Sequence, residues 1–194
     1  MKLKISKIIR ILTVTPLMAF FTLCLLRFFK PDIFDGRILP FVLSVCFLTV
    51  LPLLAYPLQP FVPHFKDKGR EGQRTLAMIF AVSGYILGCI TNLFFASSVF
   101  LWLIYLEYLI SGICILVLNK VFHLRASAHA CGIAGPTVML AYFGIPVVFI
   151  VCGAVLYISA FFASIAMKRH TLLQYLGGTA VPIAVLIALN IILL

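Results

Sequence analysis

Charged side chains are scarce in this chain of 194 residues: they make up 10% of it, whereas apolar side chains make up 64%. A chain with so little charge cannot enclose its apolar surface in a water-soluble core. A helix needs about 20 apolar residues to cross a bilayer, so the length allows six to seven spans joined by short loops. The composition excludes a soluble globular protein. It predicts an all-α, polytopic transmembrane helix bundle that forms a single domain over residues 1–194.

Acidic residues are especially few, with five Asp or Glu against 15 Lys or Arg and a net charge of +10. In a soluble chain this imbalance would suggest nucleic-acid binding, but no basic stretch here is interleaved with aromatic residues in the manner of an RNA-binding surface. Most basic residues instead flank apolar segments, where they fix topology and contact anionic headgroups. We therefore expect the membrane bilayer as a partner, and no nucleic acid.

Paired cysteines are missing as well. The six cysteines are scattered singly, without a C-x-x-C pair, at Cys24, Cys46, Cys89, Cys114, Cys131 and Cys152. This pattern excludes a disulfide framework and a cysteine metal site, and indicates small residues of the helix core. The N-terminal segment also lacks a small-residue cleavage site, so we expect it to be an uncleaved first span.

Seven apolar segments are predicted as helices: residues 8–26, 38–57, 75–95, 98–119, 129–143, 146–167 and 171–194. The fifth is short and rich in Gly and Pro, so we expect it to be tilted, broken or re-entrant. With seven segments, every Lys and Arg except Arg27, Lys30 and Arg37 lies on one membrane face. The positive-inside rule predicts that this face is cytoplasmic.

Three polar islands on that face concentrate Lys, Arg and His: residues 66–74, 123–129 and 168–174. In the first island, Lys66, Arg70 and Arg74 are spaced i, i+4, i+8, so they form one stripe if the following helix begins early. Arginine offers a planar fork of donors that matches phosphate oxygens. Two interpretations of the stripe stay open, a phosphate-binding surface or a juxtamembrane cluster that contacts lipid headgroups.

The other two islands each place a histidine at the start of an apolar segment. Ser127-Ala128-His129 leads into a run of small residues, where the N–H groups of a helix N-terminus favour an anion and His129 can give a proton to a leaving oxygen. His170 is followed at i+4 by Gln174, whose side chain can hold one imidazole nitrogen so that the other acts as nucleophile. One histidine near a membrane end is usually structural, but two in the same setting indicate a shared site.

These residues resemble, in order and spacing, the type 2 phosphatidic acid phosphatase superfamily of membrane lipid phosphatases over about residues 66–178. That family has three motifs, K-x6-R-P, P-S-G-H and S-R-x5-H-x3-D. Lys66 and Arg74 resemble the first motif, Ser127 and His129 the second, and His170 the third.

The chain departs from the family pattern at several positions. The Lys and Arg of the first motif are separated by seven residues rather than six, and Thr75 replaces the proline. Ser164 stands at the arginine position of the third motif, with Lys168 and Arg169 close by in the sequence. Gln174 replaces the aspartate, so it can fix a tautomer but cannot stabilise an imidazolium with negative charge.

The resemblance implies a bundle of that family's type and hydrolysis of a phosphomonoester or diphosphate on a lipid, of the isoprenyl phosphate or phosphatidate class, without metal or cofactor. His170 would attack phosphorus to form a phosphohistidine, Gln174 would orient it, and His129 would protonate the departing oxygen. The phosphate would be bound by Lys66, Arg70, Arg74, Ser127 and Arg169. Two alternatives stay open: a protein that binds or transports phosphorylated lipids without cleaving them, and a scaffold whose basic loops only set topology.

Overall fold

The computed structural model describes residues 3–95 and 98–194, and within these ranges the chain is helical, without strands. Short 3-10 helices at Pro31–Phe34 and Gln59–Phe61 and a π-helical turn at Cys46–Val50 connect or extend the α-helices. The α-helices are α1 Leu3–Leu12, α2 Thr15–Phe29, α3 Ile38–Val45, α4 Leu51–Leu58, α5 Gly69–Phe95, α6 Val99–Lys120, α7 Ala128–Tyr142, α8 Val147–Ala166 and α9 Leu172–Leu193.

The first apolar segment is bent rather than straight, because α1 and α2 meet at an angle of 47°. Pro16, in the first turn of α2, has no N–H to donate to the carbonyl of Leu12, and the backbone is extended at Val14, the residue before α2. α1 therefore leaves the direction of α2 and packs along α8. The single continuous helix expected over residues 8–26 is a broken one.

Five helical segments are long and apolar enough to cross a membrane: Ile38–Phe61, Gly69–Phe95, Val99–Lys120, Val147–Ala166 and Leu172–Leu193. The broken pair of α1 and α2 makes a sixth if it is counted as one span. The sequence had predicted six to seven. The remaining segment, the fifth in the sequence prediction, is α7; it has 15 residues and is therefore only about 22 Å long, short of the roughly 30 Å of a hydrocarbon core.

α7 is instead an interior helix, packed against α2, α6, α8 and α9. Most of its residues are buried, including the continuous run from Ala130 to Pro136. Small side chains allow this close packing: a Cβ on Gly132 would collide with the Thr15 side chain, and one on Gly153 of α8 would collide with Thr137. Of the three forms expected for this segment, tilted, broken or re-entrant, the broken one is wrong, because α7 is continuous over Ala128–Tyr142.

Apolar side chains cover the outside of the bundle as well as its inside. Leu103, Ile104 and Tyr105 of α6 are almost fully buried at its centre, while Phe94 and Ile191 are about four-fifths exposed, at 81% and 78%. Outward-facing apolar residues on successive helices form a surface suited to lipid rather than water. The chain is an integral, multi-pass membrane protein.

Candidate functional site

The three polar islands and the N-terminal helix meet at one end of the bundle. Because consecutive long helices pack antiparallel, the starts of α5, α7 and α9 lie beside the ends of α6 and α8. The backbone N–H of Ser127 donates to the carbonyl of Gln174 at 2.9 Å, which ties the second island to the third. We call this region the basic end. Its charged and imidazole side chains include Arg10, Arg70, Arg74, His129, Arg169 and His170.

Ser127, predicted to bind phosphate, is fully buried and uses its polar groups within the protein. Its hydroxyl accepts a hydrogen bond from the N–H of Ala130 at 3.2 Å and so caps α7. Gly178 of α9 lies directly against its backbone, where a Cβ would collide with the Ser127 carbonyl. In this structure Ser127 fixes the loop that carries His129.

His129 lies in the first turn of α7 and contacts the N-terminal segment of the chain. Its Nε2 is 3.0 Å from the hydroxyl of Thr13, and that hydroxyl donates to the carbonyl of Ile9 at 2.7 Å. A threonine hydroxyl has one proton, and that of Thr13 is given to Ile9. In the contact with His129 the Thr13 oxygen must therefore accept, and His129 donates from Nε2–H. Burial, together with the charges of Arg10 and His170, lowers the pKa of His129 to about 3. The imidazole is therefore neutral and carries its proton on Nε2.

His170 lies in the turn between α8 and α9, with its Nδ1 buried and without a hydrogen-bond partner. Burial lowers the pKa of His170, and the positive charges of Arg10, Arg74 and Arg169 act in the same direction. The side chain of Gln174 opposes this shift, but its Oε1 accepts from the N–H of Thr171 at 3.1 Å in a capping box that begins α9. Gln174, predicted to orient His170, acts on that ring as a hydrogen-bonding side chain and also caps the start of α9.

Arg10 is the most enclosed cation of the basic end. Its NH1 group donates to the hydroxyl of Ser164 at 2.8 Å, across 154 residues of sequence. Ser164 is fully buried near the end of α8, and its carbonyl accepts from the N–H of Arg169 at 3.0 Å. This Schellman turn requires a left-handed residue, which is Lys168 at φ 51°. Ser164 thus holds the Arg10 side chain and the Arg169 backbone together.

Arginines from two other elements surround Arg10. The guanidinium groups of Arg169, Arg74 and Arg70 are close enough to repel that of Arg10. Arg70 and Arg74 lie one turn apart on α5, which begins at Gly69 and so presents both on one face. Lys66 precedes the helix, is exposed, and is not among the cations that act on Arg10 or His170 in the described ranges. Of the three residues in the predicted stripe, only Arg70 and Arg74 therefore lie on the helix.

None of these arginines forms an ion pair with a carboxylate in the described ranges, although Asp67 and Glu71 lie in the same segment as Arg70 and Arg74. The acidic residues of the chain are Asp32, Asp35, Asp67, Glu71 and Glu107. Asp35 pairs with Arg37 at 2.7 Å, the one ion pair among the described residues. Glu107 is buried in α6 and accepts from Ser111 at 3.3 Å. The basic end thus gathers four guanidinium groups without a paired carboxylate.

Two residues of this site were missed from the sequence, namely Arg10 and Thr13. Arg10 was interpreted only as a charge that sets membrane topology, and Thr13 as part of an apolar span. A signal was present, since Ser6, Arg10 and Thr13 follow i, i+4, i+7 spacing and so share one helix face. The residues that this face contacts, Ser164 and His129, are distant in sequence and could be identified only from the structure.

The chemistry of the basic end suits a phosphate group. A guanidinium group can donate to two phosphate oxygens at once, one imidazole can pass on a proton after it has been protonated, and the other offers a lone pair. No group of three or more His, Cys, Asp or Glu in the described ranges is placed to hold a metal ion. Comparisons with protein-family models, curated proteins and solved structures give no match to the chain.

Proposed function

We propose that the protein is a membrane lipid phosphatase that hydrolyses a phosphomonoester or diphosphate on a lipid through a phosphohistidine. The observation that carries the proposal is the meeting of His129 and His170 with four arginines and no paired carboxylate at one end of the bundle. Phosphoryl transfer depends mainly on positioning and on stabilisation of charge at the phosphate oxygens. Arginines placed in advance around an anion supply both.

His170 is the nucleophile in this proposal. Its Nδ1 is enclosed, so Nε2 is the nitrogen open to phosphorus. Its lowered pKa keeps the ring neutral at pH 7, with a lone pair available for attack. The Nε2–P bond forms as the bond from phosphorus to the lipid oxygen breaks. Arg74 and Arg169, from two of the three islands, neutralise the equatorial oxygens of the transferring group.

His129 protonates the departing lipid oxygen from its imidazolium form and returns to the neutral ring. With a pKa near 3 the free imidazole is neutral, but a bound phosphate raises its proton affinity by opposite-charge attraction, so the ring takes up the proton of a phosphate monoanion. Nε2–H stays on Thr13, so this second proton lies on Nδ1 and is the one passed to the lipid oxygen. Water then attacks the phosphohistidine, which releases inorganic phosphate and restores both rings.

A lipid substrate is favoured over a soluble ester by the surroundings of the basic end. A groove of about 310 Å³ lies between α6 and α9 and reaches the last two turns of α6, which approach the site. Its lining residues are all apolar or weakly polar: Ile113, Cys114, Val117, Leu118, Val181, Ala184 and Val185. An acyl or isoprenyl chain can rest there while its phosphate reaches the arginines.

The test is release of inorganic phosphate from phosphatidic acid and from an isoprenyl diphosphate by purified protein in detergent with excess chelator. We expect turnover by the wild type and its loss in His170→Ala. His64→Ala is the matched control, because His64 is exposed beside Lys68, contacting its ammonium at 2.9 Å, and is not among the groups that act on His129 or His170. Acid-labile, alkali-stable label on the protein after rapid quenching of a ³²P substrate identifies the intermediate. Turnover by His170→Ala at the wild-type rate would refute the mechanism.

A second candidate function, binding or transport of phosphorylated lipids without cleavage, is favoured by one observation. Nδ1 of His170 is buried without a hydrogen-bond partner, and the Oε1 of Gln174 caps α9 instead of accepting from that nitrogen. Nucleophilic histidines are normally held by such a partner. Saturable binding of phosphatidic acid without phosphate release, in the same preparation, would favour this function over hydrolysis.

A further inference from the structure

We propose that α1 is part of the phosphate site, and that Arg10 binds a phosphate oxygen directly. The inference rests on the phosphate site of the proposed function but does not require turnover. It adds a residue outside the three islands that first indicated the site, on a helix that lies 54 residues or more before them in sequence.

The orientation of α1 is the first argument. Ser6 and Thr13 are fully buried, and Arg10, between them on the same face, is half-buried. The opposite face is exposed and mainly apolar, with Ile5 at 47%, Ile8 at 56% and Ile11 at 65%, and it also carries Lys4. A helix with its polar face inward and its apolar face outward is suited to a lipid boundary on one side and a polar site on the other.

The environment of Arg10 is the second argument. Its guanidinium offers five N–H donors, and the bond to Ser164 uses one of them. Its remaining donors have no side-chain acceptor among the described residues, while Arg169, Arg74 and Arg70 repel it. Enclosing a cation among like charges is unfavourable unless an anion compensates. The arrangement is therefore that of a site built to receive an anion with several acceptor oxygens.

Ser164 supplies the third argument. The hydroxyl of Ser164, fully buried on α8, accepts from Arg10 at 2.8 Å and so fixes the position of this guanidinium. The family pattern that the sequence resembles has an arginine at this position. Here the guanidinium comes from α1 and is anchored on the serine, so the positive charge is present although the local sequence does not provide it.

The experiment compares Arg10→Ala, Arg10→Lys and the double variant Arg10→Ala/Ser164→Arg with Lys7→Ala, an exposed cation on the same helix. The probes are inorganic phosphate, vanadate and short-chain phosphatidic acid in phosphatidylcholine micelles. Affinity is measured by calorimetry and thermal shift, and turnover by phosphate release. We expect Arg10→Ala to weaken binding of all three probes by about 10- to 100-fold, in the range for loss of one charge-assisted contact.

The controls separate binding from folding. Arg10→Ala in phosphate-free buffer should melt at the wild-type temperature or above it, because it removes repulsion among arginines. Arg10→Lys should retain part of the affinity, the double variant should recover it, and Lys7→Ala should stay within about twofold, as expected for a screened surface charge. Where turnover is present, the acidic limb of the pH profile should move to higher pH in Arg10→Ala, because a positive charge near His170 is lost.

The outcomes distinguish this inference from the hydrolase proposal. If the wild type binds phosphate through Arg10 but releases none from lipids, the hydrolase proposal fails and this inference stands. If Arg10→Ala binds all three probes and turns over substrate as the wild type does, this inference is overturned and the hydrolase proposal stands. Loss of phosphatidic acid binding alone, with inorganic phosphate and vanadate unaffected, would also overturn it, since Arg10 would then contact a part of the lipid other than phosphate.

Discussion

Replacing Thr13 by valine tests how the basic end controls the tautomer of His129. The change keeps the shape of the side chain but removes the hydroxyl that accepts from His129 Nε2–H at 3.0 Å. A buried donor left without an acceptor costs about 1–3 kcal/mol. For a chain of this size that corresponds to about 2–4 °C in Tm for each kcal/mol. We therefore expect a lower melting temperature and a loss of the fixed tautomer.

The tautomer is measured by ¹⁵N NMR on protein labelled at histidine, with the signals of His129 identified by their absence in His129→Gln. The wild type should show the Nε2–H form alone, and Thr13→Val should show a mixture. Thr13→Ser, which keeps the hydroxyl, is the matched control and should behave as the wild type does. A wild-type His129 protonated on Nδ1, or a valine variant with unchanged tautomer and unchanged Tm, would refute the reasoning.

Three further predictions concern the same end of the bundle. Because burial and Arg10 lower the pKa of His170, phosphate release should persist below pH 6.5 and fall only as the ring protonates; a limb centred above 6.5 would contradict this. Phosphate at 100 times its Kd should stabilise the protein by about 2.7 kcal/mol. It should therefore raise Tm more than potassium chloride of equal ionic strength does. Equal increases in Tm from the two salts would indicate charge screening alone. Gly178→Ala should lower Tm, because overpacking against Ser127 costs about 1–3 kcal/mol. Gly177→Ala should not lower it, because the space around Gly177 is open. Equal melting temperatures of the two variants would contradict the close contact between Gly178 and Ser127.

Much of the helical framework could be predicted from the sequence because it depends on local apolar composition. The predicted segments at residues 98–119 and 171–194 correspond closely to α6 and α9. The start of α5 was placed too late, at residue 75 rather than Gly69, because its first turn is polar and hydropathy does not register it. The break before α2 was signalled by Pro16, but the surrounding apolar residues outweighed that signal.

The candidate site was only partly predictable because its contacts are distant in sequence. Four site residues lie in the polar islands, which stand out from the apolar background of the sequence. The structure brings these four together: His129, His170, Arg74 and Arg169. Arg10 reaches the same place through a bond that spans 154 residues, which no local pattern encodes. Ser127 and Gln174 were given roles toward substrate, whereas their hydrogen bonds in the structure serve helix ends.

The break between α1 and α2 makes two parts of the chemistry depend on one short helix. α1 and the residue that follows it carry both Arg10 and Thr13, so displacing these residues removes a guanidinium from the phosphate and releases the His129 tautomer at the same moment. On the proposed function, we expect a bulky N-terminal fusion, or a detergent that strips lipid from the outer face of Ile8 and Ile11, to reduce phosphate binding and turnover while the remaining helices stay folded. Phosphate binding should therefore be measured beside melting temperature in each preparation, and the affinity tag belongs at the other terminus.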